Sequence, residues 1–269
     1  MLYDAHNHLQ DERLRPNISS IMVAAQSEGI AKMVVNGSCE EDWPDVLELA
    51  RKFPQVIPSF GYHPWYVKES SAQWQQKLVS HLDQIPSAIG EIGLDRWIKD
   101  HDVARQEELF VWQLRLAAER NLPVSIHCIQ AWGWLLEILR EQPRLTCGFL
   151  LHSYGGSREM IPALAKLGAY FSLPGYFAHE RKASQRETFR HVPADRLLIE
   201  TDAPDQPLPE NLNRFPLQDA SGKSVNHPAN LHAVYEFAGE LLSTPPEKLA
   251  AQVEENFLRL FAPVLPVTR

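Results

Sequence analysis

The chain is poor in cysteine. Cys39, Cys128 and Cys147 are its three thiols among 269 residues, and they form no Cys-x-x-Cys pair. That excludes a disulfide-stapled scaffold and a cysteine-based zinc module, and it suits a reducing compartment such as the cytoplasm. Positive charge is also short: 26 Lys and Arg stand against 34 Asp and Glu, a formal net charge of −8. Non-specific coating of long nucleic acid rests on basic residues meeting phosphates, so that mode is excluded, while a local basic patch or a metal is not. No apolar run approaches the roughly 20 residues that span a bilayer. No basic segment followed by an apolar run opens the sequence, so neither a membrane association nor a secretory leader is expected. There is no early Gly-x-Gly-x-x-Gly to support a dinucleotide-binding open sheet, and no internal repeat, low-complexity segment or linker.

What is present is alternation. Strand-like apolar runs fall at Leu2–His6, Lys32–Asn36, Val56–Phe60, Ala88–Ile92, Pro123–Ile126, Thr146–Leu151, Ala169–Leu173 and Arg196–Ile199. Helix-like segments separate them: Ile18–Glu28, Asp42–Lys52, Ala72–Leu82, Ala104–Arg120, Ala131–Glu141, Ser157–Lys166 and Glu180–His191, then Pro228–Leu242 and Pro246–Phe261. The segment Ala104–Arg120 is the clearest, with Leu109, Trp112, Leu116 and their neighbours on one stripe and Asn121 and Pro123 to stop it. Eight such alternations in a chain of this length predict an α/β fold, a (β/α)₈ barrel occupying residues 1–269 as one domain. The irregular stretch Ala203–Val225 follows the eighth strand and is expected to hang over the barrel mouth.

The polar chemistry sits at the ends of these strands. In Asp4-Ala5-His6-Asn7-His8 two histidines are two apart, so in a strand both imidazoles face one point. His63 follows strand 3, Glu91 ends strand 4, His127 and His152 end strands 5 and 6, and Asp202 ends strand 8. In a barrel these C-terminal ends share one face, where sites of this fold lie. Each residue alone reads as a packed, capping or loop residue. Together, four of these histidines and the two carboxylates on one face are costly unless paired or metal-bound. They exceed the needs of one tetrahedral ion and suit two, with a carboxylate between them. Imidazole-rich coordination favours Zn²⁺, Mn²⁺, Ni²⁺ or Fe²⁺ over Mg²⁺ and leaves the identity and number of ions, one or two, open. Asp202 reads as ligand and general base, and Asp4 and Glu200 as partners of ligand imidazoles. Cys128 reads as packing. Trp65 and Trp97 are placed at the mouth, where an indole can stack on a base, while Trp112, Trp132 and Trp134 read as helix packing.

These motifs resemble the TatD-like metal-dependent hydrolases of the amidohydrolase superfamily over nearly the whole chain. The resemblance is carried by Asp4-x-His6-x-His8, Gly61-x-His63-Pro64, Gly90-Glu91-Ile92-Gly93-Leu94-Asp95, Ile126-His127, Leu151-His152, Glu200-Thr201-Asp202-Ala203-Pro204 and the terminal Glu255–Phe261. It implies a barrel with one or two divalent cations, His6, His8 and Asp202 holding one, His127 and His152 the other, and Glu91 bridging. It assigns His63 to the substrate phosphate, giving Asp202, Glu91 and His63 as the catalytic set. The implied reaction is hydrolysis of an ester, a DNA or RNA phosphodiester trimmed from an end. The partner is then a short or single-stranded nucleic acid or a small phosphoester, and the enzyme a deoxyribonuclease, working as a monomer. The alternative is an amidohydrolase or lactonase acting on a small carbonyl compound, which a bridging Lys on strand 4 would favour; Glu91 stands there instead. The sequence departs from the family at Cys128-Ile129-Gln130-Ala131 and Val225-Asn226-His227-Pro228, where members commonly carry Arg. Arg96, Lys99, Arg158, Arg181 and Arg214 are candidates to replace that charge, though each also reads as a solvated surface residue.

Overall fold

In the computed structural model, which describes residues 1–265, eight parallel strands pair in chain order. They are β1 (Leu2–Asn7), β2 (Ile30–Asn36), β3 (Val56–Phe60), β4 (Ala88–Asp95), β5 (Val124–Ile129), β6 (Phe149–Leu151), β7 (Ala169–Pro174) and β8 (Leu197–Glu200). Helices α1 (Ile18–Ser27), α2 (Trp43–Lys52), α3 (Trp74–Leu82), α4 (Val103–Arg120), α5 (Trp132–Glu141), α6 (Ile161–Leu167) and α7 (Ala183–Phe189) fill the crossovers, and α8 (Leu231–Leu241) and α9 (Pro246–Phe261) complete the outer ring. The strands are buried almost throughout, as expected of parallel strands covered on both faces. No helix among the described residues is long and apolar enough to cross a membrane.

Ladder hydrogen bonds join each strand to the next from β1 to β8, and the seam between β8 and β1 is closed differently. Asp202 N donates to His6 O at 3.0 Å and His8 N to Ala203 O at 2.7 Å. Asp4 supplies the rest: its carboxylate accepts from Thr201 N at 3.0 Å and Thr201 Oγ1 at 2.6 Å. Asp4 therefore does not partner a ligand imidazole, as its place in the motif suggested. It meets His6 through the backbone N–H alone, at 3.3 Å, and fastens two strands whose ends carry candidate ligands.

Helix α4 also positions the site. Asp102 caps it, accepting from Arg105 N, and Asn121 ends it in the left-handed region. On its buried stripe sit two amides that reach loop backbone. Gln113 Oε1 accepts from Tyr62 N at 2.7 Å, beside His63, and Gln106 makes two 2.9 Å bonds with the backbone of Asp95. Gly93 lies where β4 runs closest to β5: a Cβ there would meet His127 O at 2.0 Å, so this position of the motif admits no side chain.

Some boundaries differ from the sequence reading. The strand expected at Thr146–Leu151 begins only at Phe149, because Gly148 takes a left-handed φ of 91°. The helix expected over Glu180–His191 is a turn at Glu180–Lys182 followed by the short α7. The stretch Ala203–Val225 forms a small hairpin, β9 (Leu217–Gln218) with β10 (Ser224–Val225), and only its Asp205 and Gln206 line the mouth among the described residues.

Candidate metal centre

A cavity of about 1180 Å³ opens at the C-terminal ends of the strands, and His8, His63, Glu91, His127, His152 and Asp202 line it. His6 is fully buried beneath them. All seven sequence-selected residues are thus brought together. Strand ends aim them: the backbone turns left-handed at Ser153 (φ 43°), just past His152, and at Asp202 itself (φ 54°), a conformation Asp tolerates.

Glu91 is the hub. Its Oε2 lies 3.3 Å from His6 Nε2 and 3.1 Å from His8 Nε2. Its Oε1 lies 3.0 Å from His127 Nδ1, 2.9 Å from His152 Nε2 and 3.4 Å from His63 Nε2. Asp202 Oδ1 is 3.7 Å from His6 Nε2 and 3.8 Å from His8 Nε2. Ligands of one tetrahedral ion at about 2.1 Å are themselves separated by roughly 3.4 Å, so these spacings are those of donors converging on shared points. Glu91 Oε1 is buried and faced by three ring nitrogens, yet none makes a hydrogen bond of acceptable angle with it. The nitrogens aim past the oxygen, as a shared cation requires, and the donor set fits one or two divalent ions.

The far side of each ring shows what the near side offers. His8 Nδ1 donates to Asn36 O at 2.8 Å, so Nε2 is the nitrogen that faces Glu91 and offers a lone pair there once its proton is displaced. His6 Nδ1 lies 2.8 Å from the Ser125 hydroxyl. His127 is reversed: Nε2 meets Asp95 Oδ2 at 2.9 Å and Nδ1 faces the centre. His152 Nδ1 faces Glu200 at 3.7 Å, too far for a hydrogen bond. His63 is fixed the opposite way from His8. Its Nδ1 accepts from Trp65 N at 3.2 Å, so its Nε2 carries the proton and points inward as a donor.

Electrostatics follow from burial. Burial raises the Asp202 carboxyl to about 7 and lowers His6 and His63 to about 4. Burial also opposes charge on His8, but Glu91 and Asp202 outweigh it and raise the imidazole to about 9. His152 and His127 are raised in the same way, against burial, by Glu91 with Glu200 and by Asp95 with Glu91 respectively. Burial opposes the Glu91 charge too, yet the surrounding histidines hold it well below the usual carboxylate range.

Several residues escaped the sequence reading. Asp95 accepts from His127 and from Trp65 Nε1, at 2.8 Å, so it orients a candidate ligand and an exposed indole together. Gln206 Nε2 donates to Asp202 Oδ2 and, at 2.7 Å, to Ser153 Oγ. Asp95 carried one signal, its place in the Gly-Glu-x-Gly-Leu-Asp string, whereas Gln206 carried none. Trp132, read as helix packing, is half-buried and lines the cavity because α5 starts at the rim. Trp65 lines it and is 46% exposed, whereas Trp97, at 62%, stands outside. None of Arg96, Lys99, Arg158, Arg181 and Arg214 lines it; the cations that do are Arg13, Arg15 and Lys182. The Cys128 thiol is buried and pushed up by burial, as packing requires.

Fold and site together define an amidohydrolase-like barrel of the metal-dependent hydrolase class. The family model for TatD related DNase matches residues 3–262, and the chain belongs to that family. Among its relatives, an uncharacterized metal-dependent hydrolase, YabD of Bacillus subtilis, is 31% identical over 97% of this chain and 99% of its own length. A protein named 3'-5' ssDNA/RNA exonuclease TatD, from Salmonella typhimurium, is 30% identical over 97% and 98%. The crystal structure of YJJV, a TatD homologue from Escherichia coli, superimposes with a TM-score of 0.88 at 27% identity, covering 97% of this chain and 98% of that one.

Proposed function

We propose that this protein is a divalent-metal-dependent phosphodiesterase that trims the ends of short or single-stranded nucleic acid. The observation that carries the reading is the division of labour at Glu91, whose two carboxylate oxygens face two separate imidazole sets. His6, His8 and Asp202 would hold one ion, His127 and His152 a second, and Glu91 would serve both. When bound, such ions would supply a nucleophile at neutral pH and Lewis acidity for the displacement. Asp202, steadied by Gln206, accepts the proton from the attacking water. His63, fixed as an Nε2–H donor by the backbone of Trp65, hydrogen-bonds a phosphate oxygen or the leaving group. Asp95 holds the His127 ring and the Trp65 indole in place. The cavity exceeds the roughly 300–1,000 Å³ of a small-molecule pocket, which favours a segment of chain as occupant.

The test is loss of a labelled single-stranded oligonucleotide with Mg²⁺ or Mn²⁺, comparing wild type with Asp202→Asn. Metal-dependent trimming by the wild type alone supports the reading. No metal-dependent loss, with turnover of a lactone or amide panel instead, would replace it by the carbonyl-hydrolase alternative.

A further inference from the structure

The two walls of the cavity differ in charge. The wall built by the loops after β1 and β2 carries Glu12 and Glu41, exposed carboxylates that pair with no cation among the described residues. The cations on that wall are neutralised: Arg13 is bonded to Asp11 at 2.7 Å and to Asp205 at 2.8 Å, and Arg15 pairs with Asp45. The opposite wall, from the loops after β5, β6 and β7, lines the cavity without a carboxylate. It carries Lys182, the one lining Lys or Arg that has no carboxylate within 4.0 Å among the described residues.

Lys182 is also held. Its Nζ lies 4.9 Å from the centre of the Tyr176 ring and 5.7 Å from that of Phe177, and the residue is half-buried. An ammonium against two aromatic rings is attracted to their faces while its stem is packed. The turn beneath it is tied down by Arg186, which donates to Phe177 O at 2.7 Å and His179 O at 2.6 Å. Arg181 donates to the Tyr176 hydroxyl at 2.6 Å and adds a second positive charge beside the ring. A polyanion entering this cavity is repelled from one wall and drawn to the other.

We infer that Lys182, set on Tyr176 and Phe177, forms an anion subsite that takes a phosphate of the substrate chain away from the scissile bond. The inference rests on the phosphodiesterase reading above. It makes the wall after β7 the track of the bound strand, with Lys182 as a positioning residue that never touches the reacting atoms.

The experiment compares a short single-stranded DNA oligonucleotide with bis(4-nitrophenyl) phosphate, a phosphodiester that has no second phosphate. Both are assayed with Mn²⁺ across a salt series for wild type, Lys182→Ala and Lys182→Arg. Lys182→Ala is expected to raise KM for the oligonucleotide roughly tenfold, the scale of one lost charge-assisted hydrogen bond. It also makes the salt dependence of log kcat/KM shallower by about 0.7, the single-strand value for one phosphate contact. Turnover of bis(4-nitrophenyl) phosphate stays at the wild-type level, and Lys182→Arg restores the oligonucleotide KM. Equal losses on both substrates would mark Lys182 as structural and overturn the inference. So would an unchanged oligonucleotide KM and salt slope while wild type cleaves both substrates. If wild type cleaves neither, the phosphodiesterase reading itself fails and the subsite falls with it.

Discussion

On the floor of the cavity, His6, His63, His127, His152, Glu91 and Asp202 are almost fully buried, and four of the five rings, His8 included, have a partner on the nitrogen that faces outward. At the rim, Glu12, Glu41, Trp65 and Lys182 keep solvent contact, and Lys182 rests on an aromatic ring. The floor is a polar cluster whose donors are held in a low-dielectric surround, so losing one leaves buried charge uncompensated. The rim acts through screened, longer-range fields, where one charge shifts encounter and affinity modestly. The two regions should therefore respond to substitution in different kinetic constants and by different amounts.

The floor should give the largest response. Glu91→Gln removes the carboxylate shared by both imidazole sets, and Asp202→Asn the carboxylate proposed to take the proton. Each is expected to lower kcat about a thousandfold with the fold intact by circular dichroism. A folded Glu91→Gln protein with near wild-type turnover and metal content would dissolve the contrast. Asp95→Asn leaves every converging donor in place but weakens the support of the His127 ring. A roughly 10–100-fold loss of affinity for a divalent ion at His127 is expected, read by calorimetric metal titration of the stripped protein. An unchanged binding isotherm would make Asp95 a loop-stabilising residue and no more.

The floor also sets a pH dependence. His8 is raised to about 9, and His127 and His152 are also raised, so at neutral pH the stripped site holds protons that a divalent ion must displace. Metal affinity should rise between pH 6 and 9, with protons released on binding. The check is calorimetry at one pH in buffers of different ionisation enthalpy; buffer-independent heats and a flat affinity would refute it. The rim should give the smallest response. Glu12→Gln with Glu41→Gln lifts repulsion on the acidic wall, lowering the oligonucleotide KM about two- to threefold at low salt, with kcat unchanged. Persistence of that gain in high salt would mean a contact rather than a field.

The barrel was legible because eight apolar runs alternate with helical patterns, and parallel strands buried on both faces read as continuous hydrophobic segments. The converging residues were legible for the same reason: each reads as the end of such a run, and although β4 and β5 continue past Glu91 and His127, the fold sends the C-terminal halves of all these strands to one face. Boundaries failed where local backbone overruled pattern, as at Gly148 ahead of β6 and at the turn that splits the helix expected after β7. The support of the site was not legible. Asp95 meets His127 across 32 positions, Thr201 meets Asp4 across 197, and Ser125 meets His6 across 119.

What the sequence determined by itself is the periodicity and the types of donor: which strands form, and that imidazoles and carboxylates end them. Both are local properties, set by side-chain alternation along one strand. Only the tertiary structure decided which nitrogen of each ring faces inward, that Asp4 closes the barrel rather than steadying a ligand, and that Lys182, not any of the five cations the sequence suggested, lines the cavity with no carboxylate partner among the described residues. These depend on groups brought together from distant parts of the chain. A ring's tautomer is set by the partner on its far side, and a surface charge matters only where the packing of loops leaves it facing the substrate.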